Sequence, residues 1–167
     1  TKKLIELHKS EINIQSIFGK GSVFSFELKL KKSENVELNS QINFLSEIKG
    51  IKVLLVEDNA INAMIAIKLL SNWGITTDHA KNGLEATEKS QVTIYDYILM
   101  DIHMPVLDGY QAAKNIRTLD NLNKKTPILG LTADIAAKDN EEYNMFFNDF
   151  LLKPLEIEKL KIALKAK

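Results

Sequence analysis

The chain has no cysteine, no surplus of charge of either sign and no long apolar run, and each absence removes a class of function. Without cysteine there is no disulfide, no thiolate nucleophile and no cysteine-ligated metal, and the usage fits a reducing cytoplasm. Lysine plus arginine and aspartate plus glutamate both number 22. No global positive field therefore exists to hold a polyanion by counterion release, and nucleic acid is not expected as a partner. No apolar stretch approaches the roughly 18 residues needed to span a bilayer, and the N-terminus lacks signal-peptide architecture, so no membrane segment is expected in these residues. The only histidines, His8, His79 and His103, lie far apart and without zinc spacing.

What is present suits one globular domain of ordinary size plus something smaller: 167 residues, 45% hydrophobic and 26% charged. Between residues 31 and 50 the apolar pattern weakens into Lys-Lys-Ser-Glu-Asn-Val-Glu-Leu-Asn-Ser-Gln, which reads as a linker. After it, residues 51–56 form a short, almost wholly apolar run, as in a parallel strand buried on both faces. Similar runs lie at 97–100 and 127–131, with shorter ones at 75–79 and 150–152. Segments of helical period separate them: 61–70, around Leu84 and Ala86, 110–117, 136–147 and 157–164. Strand and helix thus alternate five times. Such alternation implies right-handed crossovers and an α/β, doubly wound parallel sheet with helices on both faces. Sheets of this kind bind ligands at the carboxyl ends of their strands.

Those ends are chemically loaded. The first strand of the series ends in Glu57-Asp58, the third at Asp101, the fourth at Thr132 and the fifth at Lys153-Pro154. Taken alone, Glu57 and Asp58 read as a solvated turn or a helix N-cap, Thr132 as a cap and Phe150 as core. Together on one rim, three carboxylates repel one another unless a cation is present. Oxygen ligands without thiolates select a hard ion, and an incomplete cage suits Mg²⁺. Asp101 could then attack phosphorus and form an acyl phosphate, with Lys153 and Thr132 neutralising charge on the transferred group.

Val-Glu-Asp-Asn at 56–59, Met-Asp-Ile-His-Met-Pro-Val-Leu-Asp-Gly at 100–109, Leu-Thr-Ala at 131–133 and Lys-Pro-Leu at 153–155 resemble the receiver domains of response regulators and hybrid histidine kinases. The resemblance covers residues 51–167. It implies a flavodoxin-like (βα)5 fold with strand order 2-1-3-4-5 and Asp101 as the residue that becomes an aspartyl phosphate. It further implies Mg²⁺, replaceable by Mn²⁺, held by Glu57, Asp58, Asp101 and the backbone carbonyl of His103. Thr132 and Lys153 would bind the phosphoryl oxygens, Thr132 and Phe150 would form the switch, and the Lys153–Pro154 bond would be cis. The implied partners are a histidine-kinase phosphodonor domain, in cis or in trans, and a histidine phosphotransfer protein. A dimer through the face of the fourth helix, fifth strand and fifth helix is also implied. Where receivers usually carry a small residue, this chain has Phe146 and Phe147, expected to add an apolar patch to that same face. His103 and Asp134 are expected to face each other over the phosphoryl group and to tune water access.

Residues 1–32 read as a short helix, then a hairpin around Phe18-Gly19-Lys20-Gly21-Ser22, and resemble the end of a histidine-kinase ATP-binding domain. The expected organisation is that fragment at 1–32, a linker at 33–50 and a receiver at 51–167, from a hybrid sensor kinase. The location implied is cytoplasmic, with the parent anchored in the inner membrane only if upstream segments provide it. No ATP-dependent kinase activity is expected, since the nucleotide-holding boxes would lie upstream and the glycines fail P-loop spacing. The rival enzyme is a haloacid-dehalogenase-like phosphatase using Asp101 as nucleophile, but it needs a second aspartate where this chain has His103. A flavin-binding module lacks a phosphate-cradling loop after the first strand.

Overall fold

The computed structural model describes residues 5, 10–19, 21–27, 48, 50–134 and 141–165. The chain divides into two compact units, Thr1–Val36 and Glu37–Lys167. In the first, β1 (Ile12–Ile17) and β2 (Gly21–Phe26) form an antiparallel hairpin running from the pair Ile12 and Phe26 to the pair Ile17 and Gly21. Gly19 and Gly21 have φ of 75° and 107°, which glycine adopts without a Cβ penalty. The hydroxyls of Ser16 and Ser22 meet at 2.8 Å across the hairpin, and Ser10 Oγ donates to the Glu27 carbonyl. The helix expected over residues 1–8 and the linker expected over 33–50 lie outside the described residues, apart from Ile5, Ile48 and Gly50. Ile48 departs from a linker reading. It is 1% exposed and packs with Val53, Leu55 and Tyr97, so apolar packing of the second unit begins before Ile51.

The second unit holds β3 (Lys52–Val56), α1 (Ala60–Asn72), β4 (Thr76–Ala80), α2 (Gly83–Val92), β5 (Tyr97–Asp101), α3 (Gly109–Thr118), β6 (Ile128–Thr132), α4 (Glu141–Asn144), β7 (Asp149–Leu152) and α5 (Ile157–Lys165). Its five strands are all parallel, in the order β4-β3-β5-β6-β7. Counted from β3 this is 2-1-3-4-5, the flavodoxin-like receiver order. Successive side chains of the buried strands point to opposite faces, so two cores form. Val53, Leu55, Leu99 and Leu131 pack with Ala63, Ala66 and Leu70 of α1 and with Leu160 and Leu164 of α5. Leu54, Val56, Ile98 and Met100 pack with Ala86 of α2 and with Ala112, Ala113 and Ile116 of α3. Each aliphatic side chain removed from water contributes about 1.5–3 kcal/mol.

The fourth helix differs from the expectation of residues 136–147. Its described part is Glu141–Asn144, with residues 135–140 outside the described set, and the chain leaves the helix before Phe146. Asn148 draws it away: its N–H donates to the Ile128 carbonyl at 2.8 Å, and its Oδ1 accepts from Ile128 N at 2.8 Å and from Arg117 Nη2 at 2.8 Å. The two phenylalanines consequently turn inward instead of forming the expected apolar patch. Phe147 is buried against Phe150, ring centroids 5.2 Å apart, and the half-buried Phe146 meets Tyr110 edge-on at 5.5 Å. At the opposite end of the sheet, fully buried Asn123 accepts from Tyr95 N at 2.8 Å and donates to the carbonyls of Ser90 at 2.6 Å and Thr93 at 2.8 Å, satisfying backbone groups between α2 and β6.

Candidate active site

Parallel strands bring their carboxyl ends to one rim, and the last residues of β5 and β6 meet there with the residues just past β3 and β7. Glu57 is 3% exposed. Its Oε2 accepts from Lys153 Nζ at 2.5 Å and its Oε1 from Asn62 Nδ2 at 3.0 Å. Asp101 is 6% exposed; its Oδ2 accepts from the same Lys153 ammonium at 2.7 Å and its Oδ1 from His103 N at 3.2 Å. Asp58 is exposed, and Glu57, Asp58 and Asp101 each present an oxygen within 4.8 Å of the others. The helix-capping role open to Glu57 and Asp58 falls instead to Asn59, whose Oδ1 accepts from Ile61 N at 3.0 Å and Asn62 N at 3.2 Å. Both acidic side chains are thereby left to the rim.

Burial raises the Asp101 carboxyl above the ordinary aspartate range, against the opposing pull of Lys153. Burial would also discharge Lys153, but Asp101 and Glu57 together outweigh it and hold the ammonium above the ordinary lysine value. One ammonium thus faces three carboxylates, a formal excess of two negative charges. The donors are all oxygen, the set that a hard divalent cation takes, so the residues fit Mg²⁺.

Lys153 is placed by its N–H, which donates to the Thr132 carbonyl at 2.7 Å, and the Lys153–Pro154 peptide bond is cis. Thr132 is 1% exposed, with its hydroxyl accepting from Asp134 N at 3.0 Å. The His103 and Asp134 side chains are exposed. Phe150 lies inward at 3% exposure against Gly130, where a Cβ would stand 2.5 Å from its ring. The turn after β5 is tight: Val106 has φ of 71°, a conformation few β-branched residues adopt, and Gly109 N donates to the Ile102 carbonyl at 2.9 Å. Between α1 and the segment after β7, a groove of about 180 Å³ opens beside Glu57 and Lys153 and is walled by Leu55, Ile65, Leu69 and Leu155.

The sequence reading gathered Glu57, Asp58, Asp101, Thr132 and Lys153 at one end of the sheet, and the structure places them there. It did not find Asn62 or His79, whose Nε2 lies 2.8 Å from the Glu57 carbonyl. Asn62 could have been suspected, because the first turn of the helix after β3 must pass the acidic pair. His79 carried no such signal.

Residues 53–165 match the family model described as the response regulator receiver domain. Among curated proteins, the chain is 33% identical to the autoinducer 2 sensor kinase/phosphatase LuxQ of Vibrio vulnificus, over 95% of this chain and 19% of that protein. It is 34% identical to hybrid signal transduction histidine kinase K of Dictyostelium discoideum, over 98% of this chain and 14% of that protein. The chain therefore spans a fifth or less of the length of these relatives. Among solved structures, the receiver domain of a Pseudomonas aeruginosa sensor histidine kinase, with a magnesium ion coordinated in its active-site cleft, is similar at 36% identity and a TM-score of 0.64, covering 70% of this chain and 95% of that one. The receiver of the Saccharomyces cerevisiae response regulator Ssk1, solved with the histidine phosphotransfer protein Ypd1, is similar at 33% identity and a TM-score of 0.65, covering 71% of this chain and 88% of that one. No helix among the described residues is long and apolar enough to cross a membrane. With the sheet order, the acidic rim and the family match in agreement, the phosphatase alternative gives way, and the chain belongs to the response regulator receiver domain family.

Proposed function

We propose that Asp101 is the phosphoacceptor of a phosphorelay and that Lys153 is the cation that prepares it. The observation that carries this reading is the single ammonium bridging Glu57 at 2.5 Å and Asp101 at 2.7 Å on a rim that still lacks charge balance. A carboxylate oxygen of Asp101 attacks the phosphorus of a phosphohistidine. The phosphorus–nitrogen bond breaks, its electron pair returns to the imidazole, and an aspartyl phosphate results. Glu57, Asp58, Asp101 and the His103 carbonyl would hold Mg²⁺, with Mn²⁺ an alternative. That ion, when bound, supplies positive charge for the developing phosphoryl oxygens. Lys153 adds a fixed ammonium, and the Thr132 hydroxyl exchanges its Asp134 contact for a phosphoryl oxygen. Phe150 would follow Thr132, shifting the population between two states of the α4–β7–α5 face. His103 and Asp134 would tune the access of water to the acyl phosphate.

The donor would be a histidine-kinase domain, in cis or in trans, and the acceptor a histidine phosphotransfer protein, as the Ypd1 complex of the similar receiver supports. Exposed Ile61, Met64 and Ile65 on α1, beside the groove at Glu57 and Lys153, offer an apolar surface near enough for such a partner's histidine to reach Asp101. Exposed Met145, just past α4, and Ile162 of α5 favour a dimer through that second face. The parent would be a cytoplasmic or membrane-anchored hybrid sensor kinase, with residues 1–32 the end of its ATP-binding domain, a linker from residue 33 that gives way to the second unit's packing at Ile48, and 51–167 the receiver. Relatives of that type aligned over 95–98% of the chain support this reading.

The test is intact mass after incubation with acetyl phosphate. With Mg²⁺ the chain gains the mass of one phosphoryl group, and with excess EDTA the rate falls about 10²-fold or more, as expected when a main source of charge stabilisation is withdrawn. An equal gain in EDTA would overturn the metal-assisted reading.

A further inference from the structure

Besides its ion pair with Lys153, Glu57 is held at three points. Its N–H donates to the Ala80 carbonyl at 3.1 Å, its own carbonyl lies 2.8 Å from His79 Nε2, and its Oε1 accepts from Asn62 Nδ2 at 3.0 Å. A carbonyl oxygen can only accept, so the imidazole carries its proton on Nε2. The β3–β4 ladder ends at the pair of Val56 with Ala80. The Glu57 carbonyl is therefore the first past the ladder's end, and His79 supplies a donor to it. That carbonyl belongs to the peptide plane joining Glu57 to Asp58, and a peptide plane is rigid. Fixing its oxygen fixes the direction in which Asp58 leaves the sheet.

We infer that His79 and Asn62 are positioning residues for the acidic pair: His79 orients the Glu57–Asp58 peptide, Asn62 orients the Glu57 carboxylate, and together they set the affinity for the divalent cation. The inference rests on the reading that this pair holds Mg²⁺. Groups that orient ligands from behind typically change metal affinity by 10–100-fold when removed. Neither side chain needs to touch the ion to do so.

Calorimetric titration of Mg²⁺ tests this without reference to phosphorylation. Wild type binds, His79→Val binds about 10-fold more weakly, and His79→Gln, whose amide can donate to the same carbonyl, recovers most of the loss. Asn62→Ala changes an exposed side chain of α1 and leaves the sheet untouched; it weakens binding several-fold in a folded protein, so the inference stays testable if His79→Val unfolds. Wild-type affinity in both His79→Val and Asn62→Ala, or a glutamine variant no better than valine, would overturn the inference while leaving the receiver reading intact. Failure of the wild type itself to bind Mg²⁺ would overturn both.

Discussion

Asp101→Asn takes up no phosphoryl group from acetyl phosphate and, without metal, melts a few degrees above the wild type. The first result follows from chemistry, since a carboxamide has no nucleophilic carboxylate oxygen. The second follows from burial. Asp101 is 6% exposed and its carboxyl is pushed upward mainly by desolvation, with the Glu57 charge acting in the same direction. Asparagine keeps the size and removes that charge, and Lys153 keeps Glu57 as a partner at 2.5 Å. The sign with pH is fixed by linkage. An acid whose value is higher folded than unfolded costs nothing below the unfolded value of 3.8, where both states are protonated. As pH rises through 3.8 the unfolded chain ionises first and the wild type loses stability relative to the variant, until Asp101 ionises in the folded protein as well. Beyond that the gap is constant. Melting curves from acid to neutral pH in a chelator measure it, and a variant that melts below the wild type at neutral pH would contradict the assignment of burial as the dominant influence. Added Mg²⁺ should raise the wild-type melting temperature and leave the variant nearly unmoved.

Gly109→Ala should injure both fold and chemistry. A Cβ built at residue 109 would stand 2.0 Å from the Asp101 carbonyl oxygen and 2.9 Å from both the Asp101 carbonyl carbon and Ile102 Cα. All three are backbone atoms, so no side-chain rotation relieves the overlap. The first turn of α3 must move away from the end of β5, and the 2.9 Å bond from Gly109 N to the Ile102 carbonyl goes with it. Overpacking of this kind costs about 3 kcal/mol, read as a lower urea midpoint at unchanged slope. A shift of Asp101 by about an ångström lowers phosphoryl transfer about 10²-fold even in the molecules that remain folded. Wild-type stability and rate in this variant would mean that the turn is looser than the contacts require.

These two residues also mark how much could be read without coordinates. Runs such as Lys52–Val56 and Ile128–Thr132 are apolar at nearly every position because both faces of a parallel strand are covered, so the sheet and its loaded ends were legible. Asp101 and Gly109 stood out for the same reason: each belongs to a local pattern. The groups that were not legible act across distance in sequence. His79 reaches Glu57 only because β4 pairs with β3 in one particular register, and neither strand's composition specifies that register. Arg117 likewise donates to the carbonyls of Phe146 and Thr126 and to Asn148, clipping together loops that share no pattern. The end of α4 was misplaced because helical periodicity continues through Phe146 and Phe147, while their burial and the Asn148 bonds to Ile128 pull the backbone out of the helix. Ile48 was hidden in a polar stretch, where one apolar residue carries no periodic signal.

The most direct measurement is to locate the phosphoryl group itself. The wild-type chain, treated with acetyl phosphate and Mg²⁺ and fragmented at low temperature before the acyl phosphate hydrolyses, should carry the added mass on Asp101 and nowhere else. A group found on Glu57, Asp58 or a hydroxyl residue, or no group at all, would contradict the proposal that the ammonium of Lys153 and its neighbouring carboxylates exist to prepare that one side chain.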